Sequence, residues 1–387
     1  MLIEKKTKEI TIVLYIAIIA SVLSQMEVLS MIMRPAMYIS WLTIFVYFLV
    51  CNGGKLRISS YTFQFLVIYG FYIIYCLVCS ALGYNHLNGE YIRILAIPAL
   101  MSVIGDCFGE TITIREIYTI CKVYIVMALC FALWVNIEYF PSYSNWLQQM
   151  TYTFSQKNSA AQIWCSAVLI LIFIVKRDRK WKYVLSYLAI GYLIFISAIS
   201  QCRTALLAIG IVGLSYLLIY SKRRLAWLFF LLIAIMWVWN TSFSREFIDQ
   251  VFFINKFEGA DLNTVSSGRL DLYKESIMTF FESPIIGVGR WYVDCSYLSI
   301  LTESGIIGFL MIEYIWIKRL IINLKYKQFF NRFIIFITIF YIVESALEGF
   351  PPFGPGVSSF MFWLLSSMLL KLSSKNNKTD LIFDNIN

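Results

Sequence analysis

Apolar runs of membrane-crossing length recur from one end of this chain to the other, parted by short polar breaks. A hydrocarbon core about 30 Å thick takes roughly 20 apolar residues as a helix. Runs near that length lie at 10–26, 35–51, 61–82, 91–107, 118–137, 160–176, 183–200, 203–220, 225–241, 297–317, 332–348 and 355–371. A membrane β-barrel needs apolar and polar residues alternating in segments of about 10, and these runs are continuous. The pattern predicts an all-α polytopic membrane protein of about 12 transmembrane helices, with residues 1–387 forming a single integral membrane domain. One long polar interval, 242–296, separates the ninth run from the tenth. In its second half Leu270, Tyr273, Ile277 and Phe280 or Phe281 recur at helical spacing, with Asp271, Lys274, Glu275 and Glu282 largely opposite and Pro284 ending the run. That spacing predicts a short amphipathic helix against the membrane boundary, capped by Ser266, Ser267 and Gly268, with Arg269 in its first turn.

Charge orients the spans. With both termini inside, the inward segments collect 23 of the 32 Lys and Arg, including "KRDRKWK" at Lys176 to Lys182 and Lys222, Arg223 and Arg224. This is the asymmetry expected of cytoplasmic loops, and it places 242–296 outside. Composition agrees: 60% of residues are hydrophobic, 14% are charged and mean hydropathy is +0.73. The net charge of +9 is accounted for by cationic loops beside anionic lipid rather than by nucleic acid. Lys5 to Ile10 leads into the first run without a small-residue cleavage site, so no removable signal is expected. A reporter fused after Arg224 is expected to read cytoplasmic and one near Glu258 to read from the opposite side. Matching signals from both fusions would remove the twelve-span topology.

Against this background, two arginines stand out. Arg203 lies in a small polar island between two apolar runs, at the start of the eighth, and Arg269 opens the amphipathic segment. A helix N-terminus carries partial positive charge and disfavours a cation by a few tenths to about 1 kcal/mol. The conflict disappears when an anion is bound, because backbone N–H groups and guanidinium forks then point at the same oxygens. At the outer face of a membrane protein the anion expected is a lipid phosphate or pyrophosphate; the alternative reading has Arg203 snorkelling to the interface and Arg269 solvated. Secondary candidates are Arg93, two residues into the fourth run, and Glu344 and Glu348, four apart on one helix face and free to bind sugar hydroxyls or to pair with Arg34 or Arg290. Tyr and Trp in Glu138 to Asn158 suit sugar stacking or a membrane-interface belt. The nine cysteines, with Cys76 and Cys79 inside a run, and the single histidine, His86, form no metal pattern. "GVG" at Gly287 to Gly289 is too short for a nucleotide loop.

Three stretches resemble the superfamily of O-antigen polymerases (Wzy type) and O-antigen ligases. "SQCRTALLA" is similar to that family's S-R-T-A-L run, and "SGRLDLYKESIMTFFESPIIGVG" to its G-R…P-x-x-G-x-G loop. "VDCSYLSILTESGIIGFL" is similar to its H/D-N-x-x-L-x-x-L-x-E-x-G-x-x-G-x-L stretch, and "EGFPPFGPG" resembles a turn of the polymerases. The resemblance spans Gln162 to Ile312. It implies a GT-C-like, metal-independent glycosyltransferase without a cofactor, in the bacterial inner membrane, with 242–296 as a periplasmic loop. Its donor and acceptor would be undecaprenyl-pyrophosphate-linked oligosaccharides, and a chain-length regulator would be a further partner. Carried over by position, Arg203 and Arg269 would hold the pyrophosphate and Asp294 would orient or deprotonate the acceptor hydroxyl. Arg93, Arg290, Tyr297, Glu303, Glu344 and Glu348 would line the substrate path. The family's ligases have histidine where this sequence has Asp294, and asparagine where it has Cys295, which turns the expectation toward a polymerase. Ligation to lipid A core is the first alternative. A lipid-linked oligosaccharide flippase is the second, and it calls for internal repeats and midplane charges that are not evident here.

Overall fold

In the computed structural model the described residues are 2–84, 90–140, 157–174, 180–226, 268–325, 329–349 and 357–376, with Phe353 and single positions between 229 and 263. They form twelve helices: α1 Leu2–Leu23, α2 Glu27–Cys51, α3 Ser60–Ala81, α4 Glu90–Thr111, α5 Ile114–Tyr139, α6 Lys157–Phe173, α7 Lys180–Ile199, α8 Arg203–Tyr220, α9 Arg269–Glu282, α10 Ser296–Lys325, α11 Phe329–Ser345 and α12 Val357–Asn376. Eleven of the predicted runs coincide with a helix. The ninth, 225–241, falls mostly outside the described residues, as do Ser266, Ser267, His86 and the side chain of Arg93. Five helices, α2, α3, α5, α7 and α8, are long and apolar enough to cross a membrane, and α1, α6 and α12 hold shorter apolar stretches. The chain is an α-helical membrane protein.

Local chemistry sets the helix starts. The Ser59 hydroxyl accepts the Thr62 amide at 3.2 Å to cap α3. Thr113 and Glu116 form a reciprocal capping box on α5. Helix α9 starts instead at Gly268, whose φ of 81° suits a residue without a Cβ and which offers no side-chain cap. The apolar face of α9 points largely away from the bundle. Leu270, Ile277 and Phe281 are exposed, while Ser276 is fully buried, bonded to Thr302 and to the Trp291 indole. The helix therefore packs on the bundle through hydroxyls and leaves its apolar side for lipid.

Close packing of α4 on α12 depends on two glycines one turn apart. A Cβ on Gly105 would meet the Leu364 carbonyl and Ser367, and one on Gly109 would meet Met368 and Lys371. The matched increments show the two helices running parallel in contact, the small-residue geometry of membrane helix pairs. At that end Lys371 pairs with Glu110 at 3.0 Å, and Arg319 is fully buried. Counted among the inward loop cations, Arg319 is in fact held between Tyr61, Phe362 and Trp363, its guanidinium 4.6–5.1 Å from their ring centres. It donates to Ser367 Oγ at 2.8 Å. Aromatic faces and a hydroxyl here replace the hydration a loop cation would have.

The feature that shapes the site is a break in α10 at Gly305, where φ is 63° and ψ is −173°. Interrupting a helix strands backbone donors and acceptors, which is tolerated inside a bundle only where protein satisfies them. The segment after α9 does so. Val288 and Gly289 donate their amides to the Thr302 and Glu303 carbonyls, both at 3.0 Å, while the Ile306 amide donates to the Pro284 carbonyl at 3.0 Å. The Tyr75 hydroxyl shares its hydrogen between the carbonyls of Ser304 at 2.7 Å and Ile286 at 2.8 Å. "PIIGVG" is thus a plug for a broken helix.

Candidate functional site

Five elements end at one place: the starts of α6, α8 and α9, the segment before α10, and the turn after α11. Arg269, the first residue of α9, reaches into that turn. Its Nη1 donates to the Leu347 carbonyl at 2.8 Å, and its Nη2 lies 3.4 Å from Glu348 Oε1 and 3.5 Å from Asp294 Oδ2. One guanidinium therefore joins both carboxylates. Glu348 Oε2 accepts from Asn158 Nδ2 of α6 at 2.8 Å, and the Thr204 hydroxyl of α8 also bonds its carboxylate. Its backbone carbonyl accepts the Ser296 amide at 2.9 Å, fastening the turn to the start of α10.

Asp294 is positioned by tyrosines at both ends. Tyr292 donates its hydroxyl to Oδ1 at 2.9 Å, and Tyr273 of α9 donates to the Asp294 backbone carbonyl at 2.7 Å. The Tyr292 ring lies on Gly349, where an added Cβ would fall 2.5 Å from its Cε2, so that glycine makes room for it. With 38% of its side chain exposed, against 25% for Arg269 and 11% for Glu348, Asp294 is the most open member of the cluster. Burial pushes the Glu348 carboxyl above its ordinary range, Arg269 pulls it back and Asp294 pushes it up again. Burial, then the Asp294 charge, also raises the Tyr292 hydroxyl, which stays protonated and donating.

Arg203, half-buried at the first residue of α8, stands close enough to Arg269 for the two guanidiniums to feel each other's charge. Two guanidiniums brought together raise the local positive potential at the starts of α8 and α9. Asp294 has one carboxylate oxygen held by Tyr292 and the other beside Arg269.

The structure gathers Arg203, Arg269, Asp294 and Glu348, keeps Glu344 beside Glu348, and sets Tyr297 and Glu303 apart in other contacts. Glu344 lies below Glu348, 1% exposed. Gln162 Nε2 donates to its Oε2 at 2.6 Å, and its Oε1 finds no partner among the described residues. Glu348 and Asp294 share Arg269, in place of the Arg34 or Arg290 considered on the sequence; both of those are exposed. Tyr297 donates its hydroxyl to the Ile342 carbonyl at 3.0 Å, a tie between α10 and α11. Glu303 is buried beside Tyr72 and Cys76, in the lining of the α10 break. Among the described residues no group of three or more His, Cys, Asp or Glu is placed to hold a metal.

Residues 188–295 match the family model described as O-antigen ligase. The matched stretch ends one residue past Asp294 and takes in the later part of α7 with α8 and α9, so it carries Arg203, Arg269 and Asp294. It supports the O-antigen polymerase and ligase superfamily, and with it glycan transfer by a glycosyltransferase-type enzyme, without distinguishing polymerase from ligase. No curated protein matches the chain. Lys157, Asn158, Gln162, Thr204 and Tyr292 were not site candidates on the sequence, and Tyr273 stood there only as part of the apolar face of α9. The one signal for the first three was the polar "QKNSAAQ" opening an otherwise apolar helix.

Proposed function

We propose that this chain is a polymerase. It transfers a growing glycan from its undecaprenyl pyrophosphate carrier to the non-reducing end of another lipid-linked repeat unit, at the outer face of the bacterial inner membrane. The observation that carries this reading is the meeting of Arg203 and Arg269 beside the more open Asp294 at one end of the bundle. The acceptor hydroxyl attacks the anomeric carbon, and its proton passes to Asp294. The sugar C1–oxygen bond breaks with its electron pair going to the pyrophosphate, where both guanidiniums meet the new charge. A pyrophosphate leaves readily, so neither a metal nor a nucleotide is invoked. The product is an O-antigen or capsular-type polysaccharide. Both termini are cytoplasmic in this reading, and 242–296 belongs to the periplasmic side.

A ligase is the second reading, favoured by the description of the matched family. Deleting the gene and running surface glycans on a gel distinguishes the two. The polymerase reading expects glycans of a single repeat unit, still attached to their usual anchor. Long polymer that accumulates on the lipid carrier and fails to reach lipid A core would identify a ligase and overturn the proposal.

A further inference from the structure

Helix α6 meets α11 and the turn after it through two matched hydrogen bonds, one helical turn apart. Asn158 Nδ2 donates to Glu348 Oε2 at 2.8 Å, and Gln162 Nε2 donates to Glu344 Oε2 at 2.6 Å. The pairing runs in opposite sequence order, so the two segments are antiparallel there. Each carboxyl group receives one neutral amide, but their remaining oxygens differ. Glu348 Oε1 lies 3.4 Å from Arg269 Nη2, whereas Glu344 Oε1 finds no hydrogen-bond partner among the described residues. Among those residues no ion pair reaches Glu344, and its side chain is buried. An ionised carboxylate in such a place lacks the counter-charge that would replace its hydration. Glu348, within charge range one turn away, opposes a second negative charge. The neutral acid removes both conflicts. Its carbonyl oxygen accepts Gln162, and no unpaired charge is buried.

From α6 the Cys165 thiol also faces Glu344, and the Cys202 thiol does so from the start of α8. From α10, Tyr297 is tied to the Ile342 carbonyl, and from α12 Phe362 lies on the Tyr341 ring. Around Glu348 stand Arg269, Asp294 and Lys157, with Arg203 beside Arg269. A change of charge at Glu344 therefore reaches Arg269 through Glu348. We propose that Glu344 holds its proton throughout the reaction, so that the Glu344–Glu348 pair carries one negative charge and not two. Too deeply buried to touch substrate, it is a positioning residue that acts through Glu348 on Arg269. A second charge would draw Arg269 harder into the turn after α11 and repel an incoming anion. At an effective dielectric constant of about 20, a full charge at such range shifts anion affinity by about 10- to 100-fold. This deepens the pyrophosphate reading of Arg203 and Arg269 given above and rests on it.

The test uses the full-length protein in nanodiscs with Glu344→Gln and Glu344→Met, neither of which can ionise, and Glu344→Asp, which can. Infrared difference spectra of parent minus Glu344→Gln at neutral pH are expected to show the C=O stretch of a protonated carboxylic acid. A carboxylate band in its place would overturn the proposal. Loss of the proton at rising pH adds a negative charge beside Glu348, so transfer by the parent falls on the alkaline side. That fall is expected to reach about 10- to 100-fold with polyprenyl-pyrophosphate-linked substrate, and to be absent in Glu344→Gln. A merely structural side chain would not move the pH profile. The same alkaline fall in Glu344→Gln, or no transfer at neutral pH by that variant at normal abundance, would also overturn the proposal. So would loss of both neutral variants from the membrane beside normal Glu344→Asp, since a charge would then be required. If the parent transfers no glycan from a polyprenyl pyrophosphate, the polymerase reading fails, and the infrared band alone decides whether Glu344 holds a proton.

Discussion

Lysine in place of Arg269 lowers glycan transfer by about 10²- to 10³-fold, the cost of removing one preorganised donor from a site of developing charge. Arg269 serves three acceptors at once: the Leu347 carbonyl through Nη1, and Glu348 and Asp294 through Nη2. Lysine keeps the charge, but its single ammonium cannot span the turn after α11 and the segment before α10 together. Arg203→Lys is expected to fall in the same range, because a planar fork meeting two phosphate oxygens becomes a point charge. In both variants the long-range attraction for an anionic substrate persists, so the loss appears in kcat more than in KM. Transfer rates are read with purified lipid-linked substrate, and abundance by immunoblot of the membrane fraction. Should both lysine variants transfer glycan like the parent, the two arginines are interface residues and the anion site does not exist.

Alanine at Gly305 is expected to cost about 3 kcal/mol or more, and to abolish transfer even where some protein reaches the membrane. At φ 63° and ψ −173° the backbone lies in a region that is essentially glycine-only, costing about 1–3 kcal/mol for another residue. The added Cβ would also fall inside the Ile285 carbonyl, so the plug that satisfies the broken helix is pushed out. Gly287→Ala faces the mirror problem, with φ at 84° and its Cβ directed into the Glu303 carbonyl. Displacing this segment moves Asp294, which lies between the plug and the start of α10. Gly191 and Gly210 have nothing within 4 Å of an added Cβ and serve as controls. Alanine at either is expected to be neutral or to stabilise its helix by up to about 1 kcal/mol. Thermal aggregation in detergent checks the contrast, and a Gly305→Ala protein as stable as Gly210→Ala would refute the account of the break.

Helix placement was legible because lipid makes it so. A backbone in hydrocarbon must satisfy its own polar groups, so an apolar run of membrane length has one outcome, and α1 to α8 and α10 to α12 lie where the runs predicted. Arg203 and Arg269 were legible for a related reason, since each breaks a dipole rule that depends on local sequence alone. Only the tertiary structure placed Glu348 on Arg269, brought Tyr292 to Asp294 across Gly349, and buried Arg319 among three rings. It also showed why "PIIGVG" and "ESG" belong together, one supplying the amides and carbonyls that the other, by breaking its helix, requires. Hydropathy records a preference of each segment for lipid over water. A hydrogen bond between residues far apart in sequence depends on which helices touch, and no single segment carries that information.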